Sequence, residues 1–334
     1  MSELRQNMAT NEWVIIATDR AKRPDQFKRH ERRECGEPKY SKTCPFCPGN
    51  EDKTPPEIAR VPDGERGWLV RAVPNKFSAV SPGGTADRKN RGRHRYMHGI
   101  GAHEVIVETT IHNAPTMLLD VDHIAKVVDM QHGRFRALQS NPDHEQVILF
   151  KNHGCEAGTS LAHPHSQIVA LPIVPAANIH RVRTALDYKN DSGHCVYCDM
   201  LAEELESGDR VITANEHFVA FVPFAAFSPF HTWVLPRKHR ASFASAAPEE
   251  RRSLAAIMKD VLARIYYGLE DPDFNYVYRS VPSGEFDVDY FHWYVSIVLR
   301  LTKAAGFEMG SGMFINVSLP EQDAEFLRKV KVPD

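Results

Sequence analysis

Four of the six cysteines fall into two Cys-x-x-Cys pairs, Cys44/Cys47 and Cys195/Cys198, and this repetition constrains the fold more than any other feature of the chain. Each such knuckle offers two thiolates from one tight turn, which suits either a tetrahedral metal site or a redox dithiol. A redox dithiol of the thioredoxin type stands at a strand-to-helix junction, whereas Cys44-Pro45-Phe46-Cys47-Pro48-Gly49 is turn-like, so metal is the better reading. Cys35 and Cys155 are left single.

The repetition extends beyond the cysteines. Arg71-Ala72-Val73-Pro74 follows the first pair and Ala220-Phe221-Val222-Pro223 the second, each a short apolar strand ending at proline. His103-Glu104-Val105-Ile106-Val107-Glu108 then corresponds to His231-Thr232-Trp233-Val234-Leu235-Pro236, and both alternate as half-buried strands do. Amphipathic helices are expected over roughly Asp122 to Gln139 and Pro248 to Tyr267. Two histidine-bearing strands close the halves, His163 to Ala170 and His292 to Val298. This order, met twice, predicts an α+β protein of two tandem halves, mainly antiparallel sheet with helices packed on it. The halves are placed at 1–175 and 192–334, with the boundary between Pro175 and Ser192. Ser81 to Gly101, rich in Gly, Arg and Lys, is expected to be a mobile loop.

With 334 residues, 42% of them apolar, the chain can fill a substantial core. A formal charge of −2 argues against a surface built wholly for nucleic acid, and the run Arg88 to Arg93 reads as a solvated loop. The first apolar run, Trp13 to Ala17, is short for a secretion signal, and Val219 to Phe230 is broken by Pro223 and Pro229. A soluble, cytoplasmic protein without membrane or nucleic-acid partners is expected.

Each cysteine pair needs two further ligands to complete a tetrahedron. In the first half His112, at a strand end, and His163, at the head of the histidine strand, are the candidates; the duplication points to His239 and His292 in the second. Two thiolates and two imidazoles leave no open position for water, so two structural Zn2+ sites per chain are expected.

The most informative stretch runs from Phe150-Lys151-Asn152-His153-Gly154 through Gly158-Thr159-Ser160 to His163-Pro164-His165-Ser166-Gln167. Residues two apart on a strand share a face, so His163, His165 and Gln167 project together. The preceding loop of small residues can bring backbone N–H groups and the Ser160 hydroxyl to a phosphate. Imidazole is nucleophilic and uncharged near neutral pH, and the phosphoramidate it forms stays reactive. His165 is therefore expected to attack phosphorus while Gln167 and Ser160 hydrogen-bond the oxygens that gain charge. The competing reading makes His-x-His only a two-ligand metal clip.

These pieces resemble the galactose-1-phosphate uridylyltransferase family of the histidine triad superfamily over nearly the whole chain. The resemblance is carried by Arg20-Ala21-Lys22-Arg23-Pro24, Cys44-Pro45-Phe46-Cys47, Pro74-Asn75-Lys76-Phe77, Phe150-Lys151-Asn152, His163-Pro164-His165-Ser166-Gln167, Leu235-Pro236-Arg237-Lys238-His239 and Gly306-Phe307-Glu308-Met309. It implies that His165 becomes nucleotidylated, that Gln167 and Ser160 contact the transferred phosphate, and that Arg20 and Arg23 bind phosphate oxygens. Asn75, Phe77 and Asn152 would hold nucleotide, Glu308 with Phe307 would meet the sugar, and the protein would be a homodimer.

Two features depart from the best-known uridylyltransferases, which have glycine where this chain has Ser166 and a polar run with a sugar-binding glutamine where it reads Gly310 to Asn316. Both look more like the plant-type branch that includes ADP-glucose phosphorylase. The expected activity is uridylyl exchange between UDP-glucose and galactose 1-phosphate; the alternative is phosphorolysis of ADP-glucose with inorganic phosphate. A zinc-dependent nucleic-acid-binding module, using the basic loop, is the reading from a different class.

Overall fold

The computed structural model describes residues 1–18, 23–28, 38–65 and 67–333. In chain order the strands and helices are β1 (Glu3–Asn7), β2 (Glu12–Ile16), β3 (Ala59–Asp63), β4 (Gly67–Pro74), β5 (Lys89–Arg91), β6 (His94–Tyr96), β7 (Ala102–Val107), α1 (Val121–Gln139), β8 (Gln146–His153), β9 (His165–Leu171), α2 (Ala176–Ser192) and α3 (Val196–Ser207). They continue with β10 (Val211–Ala214), β11 (Phe218–Phe221), β12 (Thr232–Pro236), α4 (Pro248–Leu269), β13 (Phe274–Arg279), β14 (Tyr294–Leu299), α5 (Gly306–Ser311), β15 (Phe314–Asn316) and α6 (Pro320–Lys329).

Ten strands form one sheet in the order β10-β11-β12-β14-β13-β8-β9-β7-β4-β3. Counted outward from the middle, the first half runs β8-β9-β7-β4-β3 and the second β13-β14-β12-β11-β10, the same topology met twice. The α+β class and the duplication thus stand. The two halves join where β13 pairs antiparallel with β8, Phe274 opposite His153 and Val277 opposite Phe150. A strand therefore lies between the long helix and the histidine strand in each half, which the repeat read from sequence did not contain.

Local sequence explains where the long helices start. The Asp120 side chain accepts from His123 N at 2.7 Å and caps α1, while Pro248 opens α4 and the Glu250 carboxylate accepts from Ala247 N at 2.7 Å. Both helices lay their apolar faces on one side of the sheet, in a core that runs without interruption from Val70 and Ile106 to Trp293 and Val295. Phe243 sits at its centre, fully buried, with ring centroids 5.6 Å from Phe135 of α1 and 4.7 and 5.2 Å from Tyr278 and Trp293. The other face of the sheet carries two separate patches, one around Cys44, Phe46 and Cys47, the other around Cys195, Tyr197 and Tyr294. Away from the large sheet, β1 and β2 pair antiparallel and β15 adds in parallel to β2, tying the two chain ends together.

Helix α2 fills the boundary segment 175–192, starting after Pro175 and capped by Gly193, whose φ of 78° is left-handed. Only Ala185 of α2 is buried, so no apolar stripe announces the helix. Ser81 to Gly101 contains the exposed two-stranded hairpin β5–β6 rather than loop alone. The histidine strands begin at His165 and Tyr294, two residues later than expected. No helix among the described residues is long and apolar enough to cross a membrane.

Because Phe243 joins elements of both halves in a close-packed core, Phe243→Ala should cost about 3–5 kcal/mol of stability. Denaturant unfolding of the purified variant, at unchanged m-value, is the measurement.

Candidate active site and metal centres

The first cysteine knuckle is closed by histidines from distant parts of the chain. Cys47 Sγ lies 3.5 Å from His112 Nδ1 and 3.7 Å from His163 Nδ1, and Cys44 Sγ lies 3.7 Å from His163 Nδ1. All four side chains are buried, with one ligand atom from each inside a common 4.8 Å. The far nitrogen of His163 donates to the Thr109 carbonyl at 2.7 Å, which presents Nδ1 to the thiolates as a lone pair. Burial pushes the His163 pKa down to about 4, keeping the ring in its ligating, neutral form. The donor set and its orientation fit a metal ion.

In the second half Cys195, Cys198 and His239 bring their donor atoms inside 4.8 Å. His239 Nε2 donates to the Val288 carbonyl at 3.1 Å and its Nδ1 faces Cys198 Sγ at 3.3 Å, repeating the arrangement at His163. His292 Nδ1 is 3.6 Å from Cys198 Sγ but lies outside that compact trio. A hydrogen bond from Cys198, followed by one from His239, draws the Cys195 thiol down to about 5. The two knuckles differ locally: the second begins at the N-cap of α3, the first is a turn.

His165 opens β9 with its ring buried, and its Nδ1–H donates to the His163 carbonyl at 2.8 Å. A carbonyl oxygen only accepts, so the neutral ring carries its lone pair on Nε2. Burial, reinforced by the Lys151 ammonium, lowers the His165 pKa. The ring lines a cavity of about 260 Å³ shared with Asn152, His153, Gly154, Thr159, Tyr266 and Asp271. Opposite-facing Ser166 is fully buried and accepts from Gln131 of α1 at 2.9 Å. Beneath the strand, Lys151 binds Glu108, reaches Thr116 Oγ1 at 3.1 Å and the His165 carbonyl at 3.4 Å. Burial alone would raise Glu108, but Lys151 and the hydrogen bonds around it hold its carboxyl below the usual range.

Asn152 stands beside His165, and its carbonyl oxygen accepts from Asn275 Nδ2 at 2.7 Å; the same Nδ2 donates to the Ala157 carbonyl at 2.8 Å. Across the cavity wall His153 and Asp271 pair at 2.6 Å. Further along β9, Gln167 Oε1 lies 2.9 Å from His103 Nε2 and 3.4 Å from Asn75 Nδ2. Thus His163, His165 and Asn152 line one cavity, while Gln167 and Asn75 meet at His103 further along β9.

The remaining predicted residues are not part of that cluster. Ser160 is exposed and absent from the cavity lining, where Thr159 stands instead. Phe77 is 86% exposed. Arg23 is exposed at the head of a short turn, and Arg20 lies outside the described residues. Glu308 and Phe307 sit on α5 and do not line the cavity; the Glu308 carboxylate accepts from Ala305 N at 2.9 Å. Reading the sequence missed His103, Asn275, Asp271 and the Lys151–Glu108 pair as parts of the site. Only His103 left a signal, as the polar head of a repeated strand.

Two adjoining family models cover the chain: the N-terminal domain of galactose-1-phosphate uridyl transferase matches residues 1–175 and its C-terminal domain residues 181–332. The chain belongs to the galactose-1-phosphate uridylyltransferase family. It is a nucleotidyltransferase. An ADP-glucose phosphorylase of Arabidopsis thaliana is 34% identical over 334 residues, 99% of this chain and 93% of that one. A galactose-1-phosphate uridylyltransferase of Thermotoga maritima is 30% identical over 341 residues, 99% of each chain. The crystal structure of an Arabidopsis thaliana ADP-glucose phosphorylase with bound ADP-glucose superposes with a TM-score of 0.84 over 100% of both chains, at 30% identity.

Within this family member the halves are not equivalent. Tyr294 holds the register position of His165, and Ser296 that of Gln167. The Tyr294 ring packs 4.3 Å from Trp233 and 5.5 Å from Tyr197, so aromatic side chains fill the place that the cavity takes in the first half.

A metal ion held by Cys44, Cys47, His112 and His163 would lose a ligand in Cys47→Ser, which should then carry about one metal equivalent per chain less and show a lower thermal midpoint. A second ion at Cys195, Cys198 and His239 would be lost in the same way in Cys195→Ser. Elemental analysis of both variants, beside the wild type, checks the outcome.

Proposed function

We propose that the chain is a ping-pong nucleotidylyltransferase in which His165 carries the nucleoside monophosphate. The supporting observation is the buried His165 ring, whose Nδ1–H is bound to the His163 carbonyl while the ring lines the cavity. In the first half-reaction Nε2 attacks the α-phosphorus of a nucleoside diphosphate hexose. The bond from that phosphorus to the bridging oxygen breaks, and sugar 1-phosphate leaves with the electron pair. In the second, an oxygen of the acceptor phosphate attacks, the P–N bond breaks, and its electrons return to Nε2. The Nδ1 proton stays on His165 throughout, where the His163 carbonyl stabilises the charge that the ring acquires.

In this reading Gln167 donates to the oxygens of the transferred phosphate, and Asn75 and Asn152 hold nucleotide. Zinc suits both clusters, because thiolate and imidazole are its preferred ligands and a filled tetrahedron makes each site structural. The second tetrahedron takes His292 as its fourth ligand. The proposed assembly is a homodimer, which gives exposed Phe307 and Met309 of α5 a surface to meet.

The proposed substrates are UDP-glucose and galactose 1-phosphate, in cytoplasmic galactose metabolism. A second reading, phosphorolysis of ADP-glucose by inorganic phosphate, is favoured by Ser166 and by the similarity to the plant phosphorylase. Both share the first half-reaction and differ only in base and acceptor.

Wild-type protein mixed with donor alone should release one equivalent of sugar 1-phosphate and keep the nucleotide in an acid-labile, base-stable bond. His165→Gly should lose turnover by many orders of magnitude and still bind donor. Sequential kinetics, or nucleotide trapped on another residue, would overturn the assignment. Turnover of ADP-glucose with inorganic phosphate, together with indifference to galactose 1-phosphate, would favour the second reading over the first.

A further inference from the structure

Arg279 ends β13 with a guanidinium group mostly withdrawn from water, and among the described residues that group has no ion pair or hydrogen-bond partner. Its five N–H donors cannot become acceptors, and it does not lose its proton in a protein. Arg181 of α2 stands close enough to oppose it: burial first, and Arg181 next, pulls the Arg279 pKa down. One N–H of Arg181 donates to the Ala177 carbonyl at 3.2 Å, but its Nε is buried without a partner. Glu12, the carboxylate whose field reaches Arg279, forms no ion pair with either arginine and accepts from Thr10 Oγ1 at 3.0 Å. Tyr294, beside Arg181, and Tyr197 stay neutral and balance neither charge, and the Tyr197 hydroxyl is itself buried without a partner.

Both arginines line a cavity of about 10 Å³, together with Gln146, Ile148, Asn178 and Tyr278. It lies where the seam between the halves opens. Pairing of β13 with β8 ends at Val277 and Phe150; beyond it β13 continues to Arg279 against β14, and β8 runs back to Gln146 against β9. The space takes one particle of about the size of water. Gln146 Oε1 is also buried without a partner, and water is the occupant that it would favour. The two guanidinium groups outweigh it, because an unpaired charge is far costlier to bury than a neutral carbonyl, and water would leave both charges uncompensated. A phosphate group exceeds the space, whereas a halide ion is little larger than water and two flexible arginine side chains can yield the difference.

We propose that Arg181 and Arg279 hold a single halide ion, chloride under ordinary conditions, which clamps α2 to the seam. The helix needs such a tether, since Ala185 is its only buried residue. The duplication gives the site a counterpart. Register sets Arg279 opposite Tyr294, as Asn152 stands opposite His165 when the β8–β9 pairing is continued. Each half thus places a polar side chain at this point of its sheet, and in the second half that side chain is a cation.

The experiment uses the full-length, metal-loaded protein. Its thermal midpoint is followed as sodium chloride replaces sodium gluconate at constant ionic strength, and crystals grown in sodium bromide are measured at the bromine absorption edge. The wild-type midpoint should rise saturably with chloride, by about 2 °C or more, as expected for a ligand that binds only the folded state. Bromide should give an anomalous peak between Arg181 and Arg279. Arg279→Met and Arg181→Met should each abolish the chloride response. In gluconate Arg279→Met should be at least as stable as wild type, because an apolar side chain of similar length removes one of two opposed charges.

A wild-type midpoint that is the same in chloride and in gluconate would overturn the proposal. So would a chloride response that persists in full in either variant, which would make it a general salt effect. A density peak in the cavity without bromide's anomalous signal would identify water, and an anomalous peak without any midpoint response would be an adventitious ion only; either result overturns the clamp. Should one variant fail to fold, the other carries the comparison. None of these outcomes bears on the role of His165.

Discussion

Antiparallel pairing of β8 with β13 is the contact on which both the core and the site depend. Without it each half would be a five-stranded sheet with a second unpaired edge, a template for pairing with other chains. With it the halves share a single ten-stranded sheet and one core beneath α1 and α4. The same seam builds the reactive end of the first half. Asn275 of β13 holds Asn152 and the Ala157 carbonyl of the loop before β9, and Asp271, just ahead of β13, holds His153. Residues of the second half therefore shape a cavity whose His165 belongs to the first.

Two kinds of buried polarity support His165, and they act differently. On its own face, His163 is clamped between the Cys44 and Cys47 sulfurs and the Thr109 carbonyl, so the carbonyl of His163 that receives His165 Nδ1–H has little freedom to move. Underneath, the Lys151–Glu108 pair is almost wholly withdrawn from water and is tied to the His165 carbonyl and Thr116. Replacing such a pair by apolar side chains is often neutral for stability, whereas removing one partner is costly. Its value here lies in geometry: a charge that cannot find water keeps the strand under the nucleophile in one place.

Duplication followed by divergence explains the asymmetry of the two ends of the sheet. Both halves keep a cysteine knuckle, a histidine at the strand head and a histidine reaching across from the neighbouring strand. In the second, Tyr294, Trp233 and Tyr197 close the space with aromatic packing, which favours stability over access. The first leaves its space open and lines it with groups that can meet a phosphate.

The sequence by itself determined the local framework. Cys-x-x-Cys spacing announced the cysteine knuckles, period-two alternation announced β7, β9, β12 and β14, and His163-Pro164-His165-Ser166-Gln167 put His165 and Gln167 on one face, because each of these signals lies within a few residues and follows from strand or turn geometry. Helix α2 was illegible for the opposite reason, with a single buried residue and no apolar period to betray it. What tertiary structure alone decided was which distant groups meet: Asn275 with Asn152, His103 with Gln167, and Lys151 with Glu108. Those contacts arise from strand order and register across the seam, where partners stand tens to more than a hundred residues apart and leave no local periodicity to read.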